Sequence, residues 1–289
     1  MLDNNNPAPI LHLSFTKYFK MSKVPFNSSI EVNDLCITPQ FNDALSRLLY
    51  AAQNRQFAVL TAPVGCGKST LLRKLSSYLK EDEYLVIYIS QSNLRPRWLY
   101  NLALSSLGCE PKYYSTDAKK LFHDYLNKVM SVDKKNVVMI IDEAHLVPSY
   151  GGGSKDTLEE IRFLLNCEFD AGNPLCLILS GQEELWNVLS TEKSKAICQR
   201  IDICCTLPAL DDTQVRNYID AHLKYSGVTE RIFTDEAIET ISNASKGVPR
   251  LINKICTQSL LYASTMAKSM VDKELVNKVL EVEIPKCLL

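Results

Sequence analysis

The chain has 289 residues, of which 46% are hydrophobic and 22% are charged, a composition typical of a globular protein with a substantial core. Its 32 basic and 33 acidic side chains leave a net charge of -1, which excludes a globally basic nucleic-acid coat and a polybasic membrane binder. The Asn- and Pro-rich start has no signal-peptide core, and no stretch approaches the ~18 apolar residues of a bilayer span, so we expect a cytoplasmic protein with no membrane partner.

The first predicted element boundary is at Thr38-Pro39, where Thr is a suitable N-cap and Pro suits the first position of a helix. We therefore predict an N-terminal extension over residues 1–38. From there to residue 207, short apolar runs alternate with amphipathic helical patterns. The predicted strands are Phe57–Thr61, Tyr84–Ser90, Val137–Asp142, Leu175–Ser180 and Ile201–Leu207.

Wholly apolar strands separated by helices indicate a parallel sheet that is covered on both faces. The sequence therefore predicts an α/β domain over residues 39–207, with helices that include Lys68–Leu79 and Thr157–Phe169. After Pro208 only helical patterns follow, so residues 208–289 are predicted to form a small helical domain. Asp211 and Thr234 are its predicted N-caps, and Ser245-Lys246-Gly247 is predicted to end a helix.

A glycine-rich segment, Ala62–Ser69 (APVGCGKS), directly follows the first predicted strand and opens a helix. Its glycines allow backbone N–H groups to converge on phosphate oxygens, and the helix N-terminus adds a partial positive charge. Lys68 is expected to reach the β- and γ-phosphates, and Ser69 to offer its hydroxyl to Mg²⁺. The alternative is a chance glycine-rich turn. The predicted ATP-binding residues here are Ala62, Pro63, Val64, Gly65, Cys66, Gly67, Lys68, Ser69 and Thr70.

Two adjacent acids end the third predicted strand. Buried strands do not normally finish in carboxylates, because a desolvated charge is costly unless it is paired or binds a metal. Asp142 is the expected Mg²⁺ partner, and Glu143 is the expected base that polarises the attacking water. The alternative is a pair of solvated acids at a strand end.

Polar residues also stand at the end of the fourth predicted strand, where Ser180 or Gln182 could contact the γ-phosphate or the water. The sequence does not choose between them, and a simple turn is the alternative. Arg200 precedes the fifth predicted strand, and Arg250 opens a helix of the small domain. A lone arginine is usually a surface charge, so a functional role for these two is supported only by a family comparison.

With these motifs in place, the chain resembles the AAA+ ATPases of the general secretion pathway protein A (ExeA) type. The resemblance runs from about Phe15 to Leu280 and includes Tyr18-Phe19, Thr38–Phe41, Gly181–Leu185 and Pro249–Asn253. It implies a P-loop nucleotide domain with a helical lid that works as a ring or filament. It also implies that Arg200 reaches a neighbouring subunit's γ-phosphate as an arginine finger, and that Arg250 senses the nucleotide within its own subunit.

The chain departs from this family in two places. Ala62 stands where the phosphate loop usually begins with Gly. The segment Pro148–Lys155, which contains Gly151–Gly153, looks longer than the family's usual loop. It is either a surface that faces a partner or substrate, or a tolerated insertion.

The secretion members of the family carry a membrane helix and a peptidoglycan-binding region after the ATPase, and we expect neither here. The short soluble members resemble the helper ATPases of transposons, of the TniB and phage Mu B type. That resemblance implies assembly on duplex DNA with ATP and Mg²⁺, and delivery of target DNA to a DDE-type transposase. The alternatives are a secretion or envelope-assembly ATPase, and a slowly hydrolysing, nucleotide-gated interaction switch. Candidate DNA-facing charges are Arg95, Arg97, Lys112, Lys119, Lys120, Lys134 and Lys135.

Overall fold

The computed structural model describes residues 15–27, 29–91, 94–147, 157–165 and 173–285. The chain divides into two compact units, residues 39–208 and residues 209–289 together with the chain up to Thr38. The sequence placed the second boundary after residue 207 and treated residues 1–38 as a separate extension. In the structure, Phe15, Met21 and Phe26 are buried in the core of the helical unit, so the described part of that extension is a component of this unit.

The predicted strands occur along the chain in the predicted order. The strands are β1 (Phe57–Thr61), β2 (Tyr84–Ser90), β3 (Asn136–Asp142), β4 (Cys176–Gly181) and β5 (Ile203–Thr206). The helices are α1 (Phe15–Tyr18), α2 (Pro39–Gln53), α3 (Lys68–Tyr78), α4 (Pro96–Ser106), α5 (Ser115–Ser131), α6 (Thr157–Leu164), α7 (Leu185–Leu189), α8 (Lys195–Cys198), α9 (Asp212–Tyr225), α10 (Asp235–Ser245), α11 (Pro249–Thr265) and α12 (Lys273–Val282).

The five strands form one parallel sheet in the order β2-β3-β4-β1-β5. The predicted α/β fold with a parallel sheet between helices is confirmed. The fifth predicted strand was too long, since it is confined to Ile203–Thr206, and the helix that begins at Thr157 is described to Leu164. The predicted continuation to Phe169 and the glycine-rich segment Pro148–Lys155 lie outside the described residues.

The two faces of the sheet have different roles. Alternate residues of a strand point to opposite faces, and one set, which includes Val59, Met139, Ile141 and Leu179, is buried in the main core of this unit. Asp142 follows Ile141 and therefore points to the other face. The residues beside Asp142 on the neighbouring strands are Ser90 on β2 and Ser180, which follows Leu179 on β4. Their side chains point to the same face as Asp142. Polar side chains at these strand ends therefore share one face.

The helical unit has its own apolar core and defined helix ends. Asp211 forms a capping box with Gln214, and the Thr234 side chain accepts a hydrogen bond from the backbone of Ala237, as the sequence predicted for both caps. The predicted stop after α10 is also present, because Lys246 adopts the left-handed conformation and Gly247 follows it with φ 72°. None of the helices in the described ranges combines the length and apolar character that crossing a bilayer requires.

Candidate functional site

The loop Ala62–Ser69 connects the end of β1 to α3. Ala62 is fully buried, and its backbone N–H donates to the carbonyl of Gly181 at 3.2 Å, which ties the start of the loop to the end of β4. Gly65 and Gly67 have φ of 84° and 95°. These left-handed conformations favour glycine, and Gly67 uses its conformation as the N-cap of α3.

The end of this loop offers hydrogen-bond donors together with a positive charge. The first N–H groups of a helix have no partner inside the helix, so those at the start of α3 are available to an anion. The Lys68 ammonium lies folded over the loop, 3.2 Å from the carbonyl oxygen of Ala62, and Lys68 is 8% exposed. Burial raises the pKa of the Cys66 thiol, with the positive charge of Lys68 acting in the opposite direction. These donors and this charge are the groups that a phosphate chain requires, and the binding of ATP here stays a prediction.

The two acids at the end of β3 have different surroundings. Asp142 is 3% exposed and accepts two hydrogen bonds, from the Tyr88 hydroxyl at 2.7 Å and from the Glu143 backbone N–H at 3.0 Å. These neutral donors hold a buried carboxylate in one orientation. Glu143 is half-buried and adopts φ 53°, a conformation that is uncommon for a residue with a side chain and is found at functional sites.

Ser180 and Gln182, the two candidates at the end of β4, differ in the structure. Ser180 is fully buried, on the face of the sheet that carries Asp142, and its hydroxyl has no hydrogen-bond partner. An orphaned buried hydroxyl beside the acids is suited to a ligand. The side-chain amide of Gln182 instead lies 3.0 Å from His145 Nε2. Of the two, Ser180 is therefore the one whose polar atom is left without a partner within the described residues.

The two predicted arginines lie in different units. Arg200 is half-buried between α8 and β5, and its backbone N–H donates to the Ile197 carbonyl at 3.0 Å. Arg250 is exposed in the first turn of α11 in the helical unit. The single chain therefore brings together the loop, Asp142, Glu143 and Ser180 at one edge of the sheet, whereas the roles of the two arginines stay predictions.

Sequence reasoning missed two side chains that contact the acids, Tyr88 and His145. Tyr88 is an exposed residue in the edge strand β2, and burial of its hydroxyl together with the hydrogen bond to Asp142 raises its pKa to about 12. It therefore remains a donor at neutral pH. The sequence signal is a hydroxyl at the position of β2 that shares a face with the acid of β3. His145 follows the acid pair two positions later in the sequence, and the sequence assigned it no role.

The comparisons with known proteins agree with this geometry. Residues 51–189 match the family described as AAA domain. General secretion pathway protein A of Aeromonas hydrophila is 32% identical over 255 residues, which are 86% of this chain and 45% of that protein. The chain thus spans less than half the length of that relative.

Two solved structures share the fold at low sequence identity. The Aeropyrum pernix ORC1 protein in complex with DNA has a TM-score of 0.65 at 15% identity, over 89% of this chain and 68% of that one. The Thermotoga maritima RuvB Holliday junction branch migration motor has a TM-score of 0.53 at 18% identity, over 84% and 68%. At such identities the likeness concerns the fold alone.

Proposed function

Since the chain carries an AAA domain on the parallel sheet of a P-loop AAA+ protein, we propose that it binds ATP through Ala62–Ser69 and hydrolyses it with Glu143 as the base. One observation carries the proposal. The phosphate loop follows β1 and the acid pair ends β3 in a single parallel sheet, so both lie at the carboxyl edge, where ligands of such sheets bind.

We assign each residue of this site a separate role in binding or hydrolysis. The amides at the start of α3 and the Lys68 ammonium bind the triphosphate, and the buried Asp142 and the Ser69 hydroxyl would hold Mg²⁺. The metal would neutralise charge on the β- and γ-phosphates when it is bound. Glu143, more accessible than Asp142, orients the attacking water and accepts its proton. We infer that the Ser180 hydroxyl, which has no partner in the described structure, contacts the γ-phosphate or the water when the nucleotide is bound.

Two substitutions test this assignment by separating binding from turnover. Lys68→Ala is expected to abolish binding of a fluorescent ATP analogue, because it removes the charge that faces the phosphates. Glu143→Gln is expected to keep binding and to lower phosphate release by ~10²–10⁴-fold, the usual contribution of a positioned base. Glu184→Gln, an exposed acid that follows β4, is the matched control. Wild-type turnover by Glu143→Gln would refute the assigned base.

Assembly of the ATP-bound protein on duplex DNA, in the service of a DDE-type transposase, is the finer part of the proposal. What supports it is the resemblance to transposon helper ATPases, while the fold relatives solved with DNA add only the fold. Two of the candidate DNA-facing lysines already have partners, since Lys119 bonds Glu160 at 2.7 Å and Lys135 bonds the Glu81 carbonyl at 2.7 Å. Any DNA surface therefore depends on the remaining charges and on several subunits together.

A mobility-shift experiment tests the DNA proposal independently of hydrolysis. With Mg²⁺ and a non-hydrolysed ATP analogue, wild-type protein is expected to shift linear duplex DNA, and the shift is expected to weaken steeply with salt because phosphate contacts release counterions. Lys68→Ala serves as the nucleotide-free control. No shift at low salt would remove the DNA role and leave the ATPase assignment standing.

A secretion or envelope-assembly ATPase is the second candidate function, and one observation favours it. The relative with 32% identity is a general secretion pathway protein, and the match covers 86% of this chain. Binding to membrane-embedded secretion components with no affinity for DNA would favour this function. Tight ATP binding with slow turnover would instead indicate a nucleotide-gated interaction switch.

A further inference from the structure

His145 lies between the ends of two neighbouring strands, and the mechanism above gives it no role. It belongs to the 3₁₀ turn Ala144–Leu146 that follows β3, and its side chain is 8% exposed. The backbone N–H of Gln182, just after β4, donates to His145 Nδ1 at 3.3 Å, and the Gln182 amide lies 3.0 Å from Nε2. A carboxylate oxygen of Glu143 is 3.4 Å from the same Nδ1. One buried ring therefore contacts both the proposed base and the residue after β4.

The absence of a side chain at Gly181 allows the turn that carries His145 to approach the end of β4. A Cβ added to Gly181 would meet the backbone nitrogen of His145 at 3.2 Å and the Leu185 side chain at 3.2 Å. Both distances are tighter than ordinary van der Waals contact. Glycine at this position therefore lets the turn that carries His145 pack directly against the end of β4.

The contact from the Gln182 backbone favours one tautomer of the His145 ring. A backbone N–H can only donate, so the contact from Gln182 requires a lone pair on Nδ1, and a ring with one proton then carries it on Nε2. The Nε2–H group then requires an acceptor, and the amide oxygen of Gln182 supplies it when the amide is oriented accordingly. In this tautomer the Glu143 oxygen, 3.4 Å from Nδ1, lies against the ring and receives no hydrogen bond from it.

We propose that His145 is a positioning residue that couples Gln182, after β4, to the base Glu143. The ring holds the Gln182 amide at Nε2 and limits the positions that the Glu143 carboxylate beside Nδ1 can adopt. A movement at the end of β4 thereby reaches the base through the ring. Gln182 acts on the reaction through His145, and the direct contact to the nucleotide is left to Ser180. This inference rests on the proposed ATPase function.

The tautomer is measurable without nucleotide. Long-range ¹⁵N–¹H NMR of the imidazole in the full chain at neutral pH is expected to show the proton of His145 on Nε2. A proton on Nδ1 would overturn the proposal, because the ring would then donate to Glu143 and could not accept from Gln182. This measurement is independent of ATP, so it decides the contact even if the wild-type protein proves to have no ATPase activity.

Kinetics test whether the contact matters. His145→Phe keeps the ring and removes both nitrogens, and it is expected to lower kcat by ~10–100-fold, as loss of an orienting partner does. Affinity for the ATP analogue is expected to stay within about twofold, because the change affects turnover and not binding. His145→Asn, which retains an acceptor for the Gln182 N–H, is expected to recover part of kcat, and His123→Phe is the control.

Three kinetic outcomes would overturn the proposal. The first is wild-type kcat in folded His145→Phe. The second is an equal loss of ATP affinity and kcat, since that would indicate a general structural role. The third is additivity, because His145→Phe combined with Gln182→Ala is expected to be no slower than His145→Phe alone if the two residues act as one unit. Absence of ATPase activity in the wild-type protein would instead refute the proposed function.

Discussion

Tyr88 shows how one side chain of an edge strand can control a buried carboxylate. Its hydroxyl occupies one oxygen of Asp142 at 2.7 Å, and the backbone N–H of Glu143 occupies the other. With both oxygens held, the carboxylate has a fixed plane before any metal arrives. Orienting partners of this kind commonly affect metal affinity as strongly as some ligands do.

We therefore expect Tyr88→Phe to raise the Mg²⁺ concentration needed for half-maximal hydrolysis by about 10-fold or more. The ring remains and only the donor is lost, so nucleotide binding without Mg²⁺ is expected to be unchanged. A Mg²⁺ titration of phosphate release, beside a binding titration in chelator, measures both. Tyr84→Phe on the same strand is the control, and an unaltered Mg²⁺ requirement in Tyr88→Phe would contradict this role.

At the scale of elements, the turn between α10 and α11 depends on Gly247. Gly247 has φ 72°, and a Cβ there would lie 1.9 Å from the carbonyl oxygen of Leu210. That oxygen belongs to the backbone and cannot move away cheaply. Gly227 is a useful comparison, because its φ is 85° but the close contact of an added Cβ would be with the end of a side chain, the Ser22 hydroxyl at 2.7 Å, and not with backbone.

Gly247→Ala is expected to destabilise the helical unit by roughly 3–5 kcal/mol, as overlap with fixed backbone adds to the conformational strain. Gly227→Ala is expected to cost about 1–2 kcal/mol, the strain of a left-handed residue alone. Urea denaturation followed by circular dichroism compares the two variants. Equal losses would show that the contact with Leu210 relaxes.

The N-terminal segment is fastened to the helical unit by a buried histidine. The backbone N–H of Phe26 donates to His222 Nδ1 at 3.0 Å, and the two rings stack with centroids 5.1 Å apart. Burial lowers the pKa of His222 to about 4. The ring is therefore neutral in the folded protein, and protonation of Nδ1 would remove the acceptor that Phe26 uses.

This segment is expected to loosen in acid. Because the folded pKa of His222 is lowered, the unfolded chain takes up the proton first, so the stabilisation is complete above the ordinary pKa of 6.5 and is lost progressively as the pH falls to about 4. This lowering of the His222 pKa corresponds to on the order of 3 kcal/mol in the free energy of unfolding. His222→Asn keeps an acceptor that does not titrate. Urea denaturation at several pH values is expected to show a smaller loss for this variant, and parallel profiles would contradict the assignment.

The elements of the α/β unit were largely predictable because the strands are short, mostly apolar runs and the helices between them are amphipathic. The phosphate loop and the acid pair were predictable because local spacing specifies them. The contacts of Tyr88 and His145 were not, because they join residues that meet only through the pairing of β2 with β3 and the approach of β4. The place of residues 15–27 was missed for the same reason, since their partners follow the entire α/β unit.

At the scale of the whole molecule, the predicted role of Arg200 in a neighbouring subunit's site can be tested by mixing two variants. If it serves a neighbouring subunit, Arg200→Ala and Glu143→Gln are each defective alone, but they are defective in different sites. Mixing the two proteins is expected to restore turnover, because a Glu143→Gln subunit supplies its Arg200 to a neighbour whose Glu143 is intact. We expect wild-type specific activity to rise with protein concentration for the same reason.

Phosphate release across a series of mixing ratios measures this effect. Arg47→Ala, an exposed arginine paired with Asp43, replaces Arg200→Ala in the control. It is expected to be active without mixing. Mixtures of Arg200→Ala and Glu143→Gln that are no faster than the average of the separate proteins would show that Arg200 does not act between subunits.

The helical unit is assembled from both sides of the α/β unit, residues 15–38 before it and residues 209–285 after it. During synthesis on the ribosome, Phe15, Met21 and Phe26 emerge long before α9 to α12 exist to cover them. The α/β unit is continuous and can fold as soon as β5 has emerged, whereas these early apolar side chains must wait for the last helices of the chain. Nascent chains stalled before α9 are therefore expected to expose this segment to chaperones and proteases, even when they already bind nucleotide.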